Sequence, residues 1–425
     1  MGLPRKLLSF SFKLWNLQER SFNRSSRCFC RVSKCENVGS ELNSSQVSKF
    51  LIDKIRTSGP ITVADYMKIV LTNPVSGYYM HRDVFGTEGD FITSPEISQL
   101  FGEMIALWFI NEWNRIGSPK PMQLVELGPG RGTMIADILR VFSKFNLTKE
   151  INCHLIEVSS ELSRLQAMTL CPETKVEDNP SAIYRSGMSK FGIPISWYRS
   201  LEDIPRHFSC VVAHEFFDAL PIHKFQKTDN GWREILIDID ENNPNQFRYV
   251  ISRMPTPAST VFVKKEELRD HVEICPRAGV IAQQLAQRLE EDGGIALIAD
   301  YGHSGEKTDT FRAFKKHELH DPLIAPGSAD LTADVDFRFL KDAVSDKLVS
   351  YGPVTQREFL LRMHVEKRLE MLLNSCKSED ERNSLKSGFH MMTDEDKMGQ
   401  CFKFLALYPL VLKDYLTKRP PPGFV

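Results

Sequence analysis

The chain has 425 residues, of which 42% are hydrophobic and 26% are charged, and its formal net charge is −1. This length and composition predict a globular protein with one large domain or two smaller ones. The longest apolar run, nine residues at 404–412 interrupted by Pro409, is far below the roughly 20 that a membrane-spanning helix needs, so no span is predicted. The nine cysteines show no CxxC spacing, which argues against a zinc site.

The first 35 residues differ in composition from the rest of the chain. Eight of the 54 lysines and arginines lie there with a single acid, Glu19, among serines and large apolar residues. This pattern is typical of a mitochondrial presequence, and we predict a transit peptide over residues 1–40. A basic arm that contacts nucleic acid or lipid is the alternative. The remaining residues are acidic overall, which argues against general binding to nucleic acid.

Residues 41–121 are predicted to form an N-terminal helical region. Its last and longest helix lies in the segment ITSPEISQLFGEMIALWFINEW, where apolar residues recur at helical spacing and predict packing against the core. Ser94 is a candidate N-cap of this helix, with Pro95 at its first position. A capping box between Thr93 and Glu96 is the alternative start.

Strands and helices alternate from residue 123 onward. In chain order the segments are QLVELG, TMIADILRVFSKF, CHLIEVS, SELSRLQAM, CVVAHEF, a helix over 277–291 and GIALIADYG. Strands separated by helices predict parallel pairing, so residues 122–350 are expected to form an α/β core with a doubly wound sheet.

Two segments depart from this alternation. Residues 222–276 are predicted to be a β-rich insertion, because two strand-like runs meet at Asn230-Gly231, a strong hairpin signal. Residues 351–425 are predicted to be a helical C-terminal region, and its final KRPPPGFV is predicted to be a solvated tail.

A glycine-rich turn follows the first strand of the α/β core. Gly128, Gly130 and Gly132 lie between this strand and the next helix. A turn of this kind directs backbone N–H groups and the positive end of a helix at a ligand. A dinucleotide, S-adenosylmethionine or no ligand at all would each account for the glycines. Their Gly-x-Gly-x-Gly spacing departs from the Gly-x-Gly-x-x-Gly fingerprint of dinucleotide sites.

Two acids near this turn favour S-adenosylmethionine as the cofactor. Glu126 precedes Gly128 by two residues, where a carboxylate suits a zwitterionic amino-acid tail and would repel a diphosphate. Glu157 ends the next strand, at the place where an acid hydrogen-bonds ribose hydroxyls in either cofactor class. Both acids and the three glycines are therefore candidate cofactor-binding residues.

The stretch GTEGDFITSPE, just before the long helix, combines glycine, hydroxyl and acidic residues. It could fold over the cofactor, and Gly89, Asp90 and Ser94 are its candidate contacts. A capped helix start without a ligand is the alternative.

Five segments of the chain share their order with one family. They are GDFITSPEISQLFGE, LVELGPGRG, VVAHEFFDALPIHKFQ, IADYGH and GSADLTADVDF. Together they resemble the MidA-like methyltransferases over residues 45–415. The resemblance implies a class I, Rossmann-like methyltransferase fold, S-adenosylmethionine as methyl donor and a mitochondrial matrix location. It also implies symmetric dimethylation of an arginine on the 49 kDa iron–sulfur subunit of respiratory complex I during assembly.

Two other functional classes remain open at this point. An assembly chaperone that keeps the methyltransferase fold with weak or no turnover is the first alternative. An NAD-linked oxidoreductase is the second, and the glycine spacing disfavours it.

Methyl transfer to arginine calls for carboxylates, because the guanidinium pKa lies above about 12 and its charge must be held in place. The segment AHEFFDALP supplies Glu215 and Asp218 at the end of the predicted fourth strand, the edge where ligands bind to open sheets. Both are candidate catalytic residues, and His214 is a candidate proton acceptor. Ion-pair, capping or structural hydrogen-bond roles are the alternatives. Better-known arginine methyltransferases carry two glutamates on one loop, a pattern absent here.

The segment IADYGHSG ends the last predicted central strand. Its Asp300, Tyr301 and His303 could border the acceptor channel. A metal site built from His303, His317 and His320 is disfavoured, because methyl transfer needs no metal and no acidic ligand stands at a defined spacing.

Overall fold

The computed structural model describes residues 36–80, 93–176 and 182–425. Most of the predicted transit peptide lies outside the described residues, as do the candidate cofactor contacts Gly89 and Asp90. Within the described residues no helix has both the length and the apolar character needed to cross a membrane.

The described residues form strands and helices that alternate along the chain. The strands are β1 (Ile61–Thr62), β2 (Met122–Leu127), β3 (Ile151–Ile156), β4 (Thr174–Val176), β5 (Arg185–Met188), β6 (Pro194–Tyr198), β7 (Ser209–His214), β8 (His223–Thr228), β9 (Gly231–Ile239), β10 (Phe247–Ile251), β11 (His271–Ile274), β12 (Gly294–His303), β13 (Arg312–Lys315), β14 (Glu318–His320), β15 (Asp330–Thr332), β16 (Val335–Asp336), β17 (Leu348–Thr355) and β18 (Phe402–Pro409). The helices are α1 (Glu36–Ser58), α2 (Val63–Thr72), α3 (Ser94–Ile97), α4 (Gln99–Arg115), α5 (Thr133–Lys144), α6 (Ser160–Leu170), α7 (Pro257–Phe262), α8 (Pro276–Asp292), α9 (Phe337–Val344), α10 (Gln356–Arg362), α11 (Val365–Ser375), α12 (Glu379–Thr393), α13 (Met398–Cys401) and α14 (Lys413–Lys418).

The central sheet has the strand order β17-β18-β12-β7-β2-β3-β6-β5-β4. Strands β12, β7, β2, β3 and β6 are parallel, and β18 runs antiparallel to both of its neighbours. Every residue of β2 is buried because helices cover both faces of the sheet. Helices α4 and α5 pack on one face, and α8 and α9 pack on the other. The predicted doubly wound α/β core is confirmed.

The long N-terminal helix begins later than the sequence predicts. Residues Ser94–Ile97 form the separate short helix α3, and its N-cap Thr93 makes no side-chain capping bond. Ser98 then adopts an extended conformation, and its hydroxyl caps α4 by accepting a hydrogen bond from the Leu100 N–H at 3.3 Å. The predicted single start at Ser94 or Thr93 is therefore wrong.

The β-rich insertion forms a second sheet. Strands β8 and β9 make the predicted hairpin, with Thr228 paired to Gly231, and β11 lies beside β8. Strands β1 and β10 both pair with β9. Helices α1 and α2 pack against this sheet through a shared apolar cluster. The N-terminal region is thereby joined to the insertion.

The C-terminal region adds helices α10–α14 and also completes the central sheet through β17 and β18. Its last residues are packed, so the predicted solvated tail is wrong. The Trp108 Nε1–H donates to the Pro422 carbonyl oxygen at 3.1 Å. The Phe424 ring is buried with its centroid 5.5 Å from that of Phe359.

Candidate functional site

The three glycines of the predicted cofactor turn connect β2 to α5. Gly128, Gly130 and Gly132 have φ values of 65°, 54° and 80°. Residues with a side chain rarely adopt this left-handed region, so the backbone path itself requires glycine at these positions.

At Gly128 the absence of a side chain also makes room for a neighbouring ring, whereas a Cβ atom on Gly132 would make only an ordinary contact. A Cβ atom on Gly128 would lie 2.9 Å from Phe216 Cδ2, and one on Gly132 would lie 3.4 Å from Leu170 Cδ1. Phe216 follows β7, so the glycine turn is in direct contact with the loop that carries the predicted acceptor residues.

Glu157 is connected to the glycine turn by Gln166, a residue that no sequence motif marks. The Gln166 Nε2 group donates to Glu157 Oε2 at 2.9 Å and to the Gly130 carbonyl oxygen at 2.8 Å. The Trp197 Nε1–H donates to Gln166 Oε1 at 2.9 Å and fixes this amide. The second Glu157 oxygen accepts from the Ser159 N–H at 2.8 Å. A single glutamine on an amphipathic helix carries no motif, so these contacts gave no sequence signal.

Glu126 is a buried carboxyl whose contacts are incomplete. It is 2% exposed, and its Oε2 atom has no hydrogen-bond partner among the described residues. Burial raises the pKa of Glu126 to about 8 and that of Glu157 to about 7. A cationic group beside Glu126 would offset this loss of hydration.

Glu215, the first predicted acceptor residue, follows β7 directly. Its φ is 48°, and its N–H donates to the Ala299 carbonyl oxygen at 3.0 Å. A positive φ is uncommon for a residue with a side chain and clusters at functional sites. The Ser94 N–H hydrogen-bonds to the Glu215 carboxyl. Ser94, predicted as a cofactor contact, is thus placed beside the candidate acceptor residue.

The Glu215 carboxyl has an oxygen, Oε1, with no hydrogen-bond partner in the part of the chain that the structure describes. Burial raises the pKa of Glu215 well above its ordinary value, and the carboxyls of Asp218 and Asp300 raise it further. Burial and the neighbouring carboxyls thus favour the neutral form of Glu215, and a positive group beside it would favour the ionised form.

Asp218 repeats this arrangement three residues later. Its Oδ2 atom accepts from the Thr332 hydroxyl at 2.8 Å, whereas Oδ1 has no partner within the described ranges. Burial raises the pKa of Asp218 to about 6, and the positive charge of Arg312 opposes this rise. Both acceptor candidates thus keep one buried oxygen available for a donor.

His214 is placed among aromatic rings. Its ring centroid lies 4.8 Å from that of Phe101 and 6.1 Å from that of Phe402. Its Nε2 atom is 3.2 Å from Glu215 Oε1, but neither atom has a hydrogen-bond partner among the residues described. Burial lowers the pKa of His214 to about 3. The ring is a weak base in this environment, which argues against the expected proton-acceptor role.

Asp300 lies within β12, three residues before the strand ends at His303, and is fully buried. Its Oδ2 atom accepts from the N–H groups of Phe216, Phe217 and Asp218 at 3.2, 3.0 and 3.4 Å. Its Oδ1 atom accepts from the Tyr301 N–H at 2.9 Å. The Asp300 carboxyl therefore binds the backbone of the loop that follows Glu215. This contact accounts for its position without the acceptor channel that the sequence suggested.

His303 is also engaged by backbone, since its Nδ1 atom accepts from the Gly305 N–H at 3.0 Å. Across the described part of the chain, no group of three or more His, Cys, Asp or Glu side chains is arranged to hold a metal ion.

These elements meet at the carboxyl ends of β2, β3, β7 and β12, where ligands bind in open α/β sheets. A family model described as "Putative S-adenosyl-L-methionine-dependent methyltransferase" matches residues 104–354. The chain belongs to this methyltransferase family. Its cofactor is accordingly S-adenosylmethionine.

Curated relatives extend the similarity over most of the chain. "Protein arginine methyltransferase NDUFAF7, mitochondrial" from Rattus norvegicus is 52% identical over 90% of this chain and 91% of the relative. The Homo sapiens protein of that name is 53% identical over 85% of this chain and 83% of the relative. The Drosophila melanogaster homolog is 51% identical over 89% of this chain and 88% of the homolog.

A solved structure shows the same fold. It is a protein from Burkholderia thailandensis bound to S-adenosyl-homocysteine, 22% identical, with a TM-score of 0.73 over 87% of this chain and 93% of that chain.

The residues of this methyltransferase fit its cofactor. The incompletely bonded, buried Glu126 carboxyl suits the ammonium of the methionyl group, and the buried Glu157 carboxyl suits ribose hydroxyls.

Proposed function

We propose that this protein is a mitochondrial S-adenosylmethionine-dependent protein arginine N-methyltransferase. Its proposed substrate is an arginine on the 49 kDa iron–sulfur subunit of complex I, and its proposed product is symmetric dimethylarginine. The main supporting observation is the pair of buried carboxyls, Glu215 and Asp218, each with an oxygen that lacks a partner among the described residues. The names of the curated relatives support arginine as acceptor and the mitochondrial location.

Two carboxyls suit arginine because a guanidinium presents several N–H donors in one plane. Glu215 Oε1 and Asp218 Oδ1 would accept two of these donors and fix the orientation of the group. Localising the positive charge on the nitrogens that face the carboxyls leaves more electron density on the remaining nitrogen. That nitrogen is the one that attacks the methyl group.

The cofactor supplies an electrophilic methyl group on a sulfonium, so the protein has mainly to align the two reactants and exclude water. Glu126, Glu157 and the glycine turn would hold the cofactor. Phe216 contacts Gly128 and follows Glu215, so it connects the two halves of the site. In this proposal Phe216 keeps the acceptor nitrogen close to the cofactor.

The methylated guanidinium must release a proton. An approaching cation lowers the pKa of Glu215 and Asp218, because opposite charges favour the ionised form. The carboxyl proton leaves to solvent when the cation binds, and the carboxylate so formed can then accept the proton that the methylated nitrogen releases. This arrangement assigns proton transfer to Glu215 or Asp218 and leaves His214 as a neutral wall of the pocket.

The test compares Glu215→Gln with the parent enzyme. Glutamine keeps the shape but removes the charge, so we expect methyl incorporation into the 49 kDa subunit to fall by about 10²-fold or more, with little change in cofactor affinity. Mass spectrometry measures incorporation, and calorimetric titration with S-adenosylmethionine measures affinity. Glu318→Gln is the matched control, because Glu318 is exposed on β14, far from the acceptor loop in sequence.

Parent-like turnover in folded Glu215→Gln would remove Glu215 from the acceptor site. A failure of the parent enzyme to methylate any arginine of the subunit, with normal cofactor binding, would contradict the proposed activity. That result would favour the chaperone alternative.

A further inference from the structure

The loop that carries the acceptor candidates is held by one side chain from another strand. Asp300, in the second half of β12, accepts three successive backbone N–H groups on a single oxygen, those of Phe216, Phe217 and Asp218. Three donors on one oxygen draw the loop into a tight curve around the carboxyl. Its other oxygen is occupied by the Tyr301 N–H of its own strand, which fixes the orientation of the carboxyl.

This curve begins at a residue in an unfavourable conformation. Glu215 has a φ of 48°, although it is not a glycine, and its N–H bonds to Ala299, the residue before Asp300. A non-glycine residue in this region costs about 1 to 3 kcal/mol and persists only where its surroundings determine it. The hydrogen bonds from the Glu215 N–H to Ala299 and from the Phe216 N–H to Asp300 supply those surroundings.

The end of the loop at Asp218 is also held by hydrogen bonds. The Asp218 carbonyl oxygen accepts from the Ala333 N–H at 3.0 Å, and its carboxyl accepts from Thr332. The loop is therefore fixed by β12 on one side and by the end of β15 on the other. The two oxygens available for a guanidinium lie on the residues that begin and end this loop.

We propose that Asp300 is a positioning residue that holds Glu215 and Asp218 in the geometry needed to bind the acceptor guanidinium. This inference rests on the proposed function for its catalytic consequence. Its structural part, the retention of the acceptor loop by the Asp300 carboxyl, stands separately. Asp300 acts through the loop backbone and touches neither substrate nor cofactor in this role.

Asp300→Asn is the decisive variant. Both oxygens of Asp300 accept from N–H groups, whereas asparagine has one accepting and one donating terminus. Whichever way the amide turns, an NH₂ group faces at least one backbone N–H donor. The variant therefore keeps the size of the side chain and weakens its hydrogen bonds to backbone N–H groups.

Hydrogen exchange measures how strongly the loop amides are held, independently of methyltransferase activity. In the parent protein we expect the amides of Phe216, Phe217 and Asp218 to be protected, and in Asp300→Asn we expect them to exchange at least about tenfold faster. Glu273→Gln is the matched control. Glu273 is a mostly buried carboxyl that accepts the N–H groups of Thr310 and Phe311 in another loop, so its variant should leave residues 216–218 protected.

Turnover supplies the second readout through a double-mutant cycle. Asp300→Asn should lower kcat for arginine methylation by about tenfold or more and change cofactor affinity little. If Asp300 acts through Glu215, the double variant Asp300→Asn/Glu215→Gln should be hardly slower than Glu215→Gln alone. Losses that simply multiply would overturn the coupling, because they would indicate independent effects.

Several outcomes would overturn the proposal. Parent-like protection of residues 216–218 in Asp300→Asn would do so, and so would faster exchange with unchanged turnover. If Asp300→Asn does not fold, two other measurements test the proposal. Amides of residues 216–218 that are unprotected in the parent would refute it. Parent-like turnover of Asp300→Glu would also refute it. Absence of methyl transfer by the parent would instead refute the proposed function, and the exchange result would still decide whether Asp300 holds the loop.

Discussion

Buried ionisable side chains lower the stability of a folded protein unless partners replace the water that they lose. One edge of the central sheet nevertheless gathers five buried or largely buried carboxyls whose pKa is raised, those of Glu126, Glu157, Glu215, Asp218 and Asp300. Such concentrations are typical of functional sites. A positively charged ligand beside Glu126, Glu215 or Asp218 would stabilise that carboxyl in its ionised form.

At the residue scale, Glu126→Gln should change how stability depends on pH. The unfolded chain releases the Glu126 proton near pH 4.5, whereas the folded protein keeps it to about pH 8. The free energy of unfolding of the parent should therefore fall between these values, by up to about 1.4 kcal/mol per pH unit from this group. Urea unfolding without cofactor at pH 7 and 8 should show a shallower fall for the variant.

Other buried groups also make the free energy of unfolding depend on pH. The lowered pKa values of His154 and His214, about 4 and 3, make stability rise with pH only below about 6.5. Glu157 contributes in the same direction as Glu126, up to about pH 7. Identical pH slopes for parent and variant would show that Glu126 is ionised in the folded protein.

Gly130→Val should abolish cofactor binding and leave most of the fold intact. The φ of 54° at Gly130 is strongly unfavourable for a β-branched residue, and the new side chain would occupy space where the ligand meets the backbone. Calorimetry with S-adenosylmethionine and thermal melting measure the two effects. Unchanged affinity with a normal melting temperature would remove the cofactor from this turn.

Motifs explain which site residues the sequence reveals. Glu126 and Glu157 stand at fixed positions around a glycine turn, so local spacing is sufficient to propose them as candidates. Gln166 and Asp300 act through contacts to residues 36 and 84 positions away, respectively. No local pattern encodes such partners. The same holds for the pKa of His214, which depends on rings supplied by two distant elements.

At the element scale, hydrophobic periodicity and turn residues predict the parallel strands and the hairpin, but they do not predict strand β18. A short apolar run is compatible with a buried strand or a buried helix, and only its place between β12 and β17 decides. The tail after α14 contains three successive prolines, which are typical of solvated segments. Its burial depends on an apolar site formed by Trp108 and Phe359, far away in sequence.

Phe424→Ala should therefore destabilise the protein, by about 3 to 5 kcal/mol, because it removes a buried ring at the end of the chain. Val425→Ala is the control, since Val425 is 69% exposed and should change stability little. Urea unfolding monitored by tryptophan fluorescence measures both. Equal stability of the two variants would show that the tail does not contribute to the core.

At the scale of the whole molecule, the proposed division assigns residues 1–40 to targeting and the remainder to the folded enzyme. The basic first 35 residues, fused to a reporter, should direct it to mitochondria and be removed there. Replacing Arg20, Arg24 and Arg27 by glutamine should abolish import. Fluorescence microscopy and reporter size give the two readouts, and an uncleaved cytosolic parent fusion would contradict the assignment.

The order in which the sheet can assemble follows from the position of β18. This strand, Phe402–Pro409, pairs with both β12 and β17, although β12 is complete at His303. A chain that emerges from the ribosome N-terminus first leaves the edge of β12 open for the whole interval before residue 402 appears. Open strand edges recruit other chains. Nascent protein in this interval therefore needs shielding, and any product truncated before residue 402 lacks the strand that joins β12 to β17.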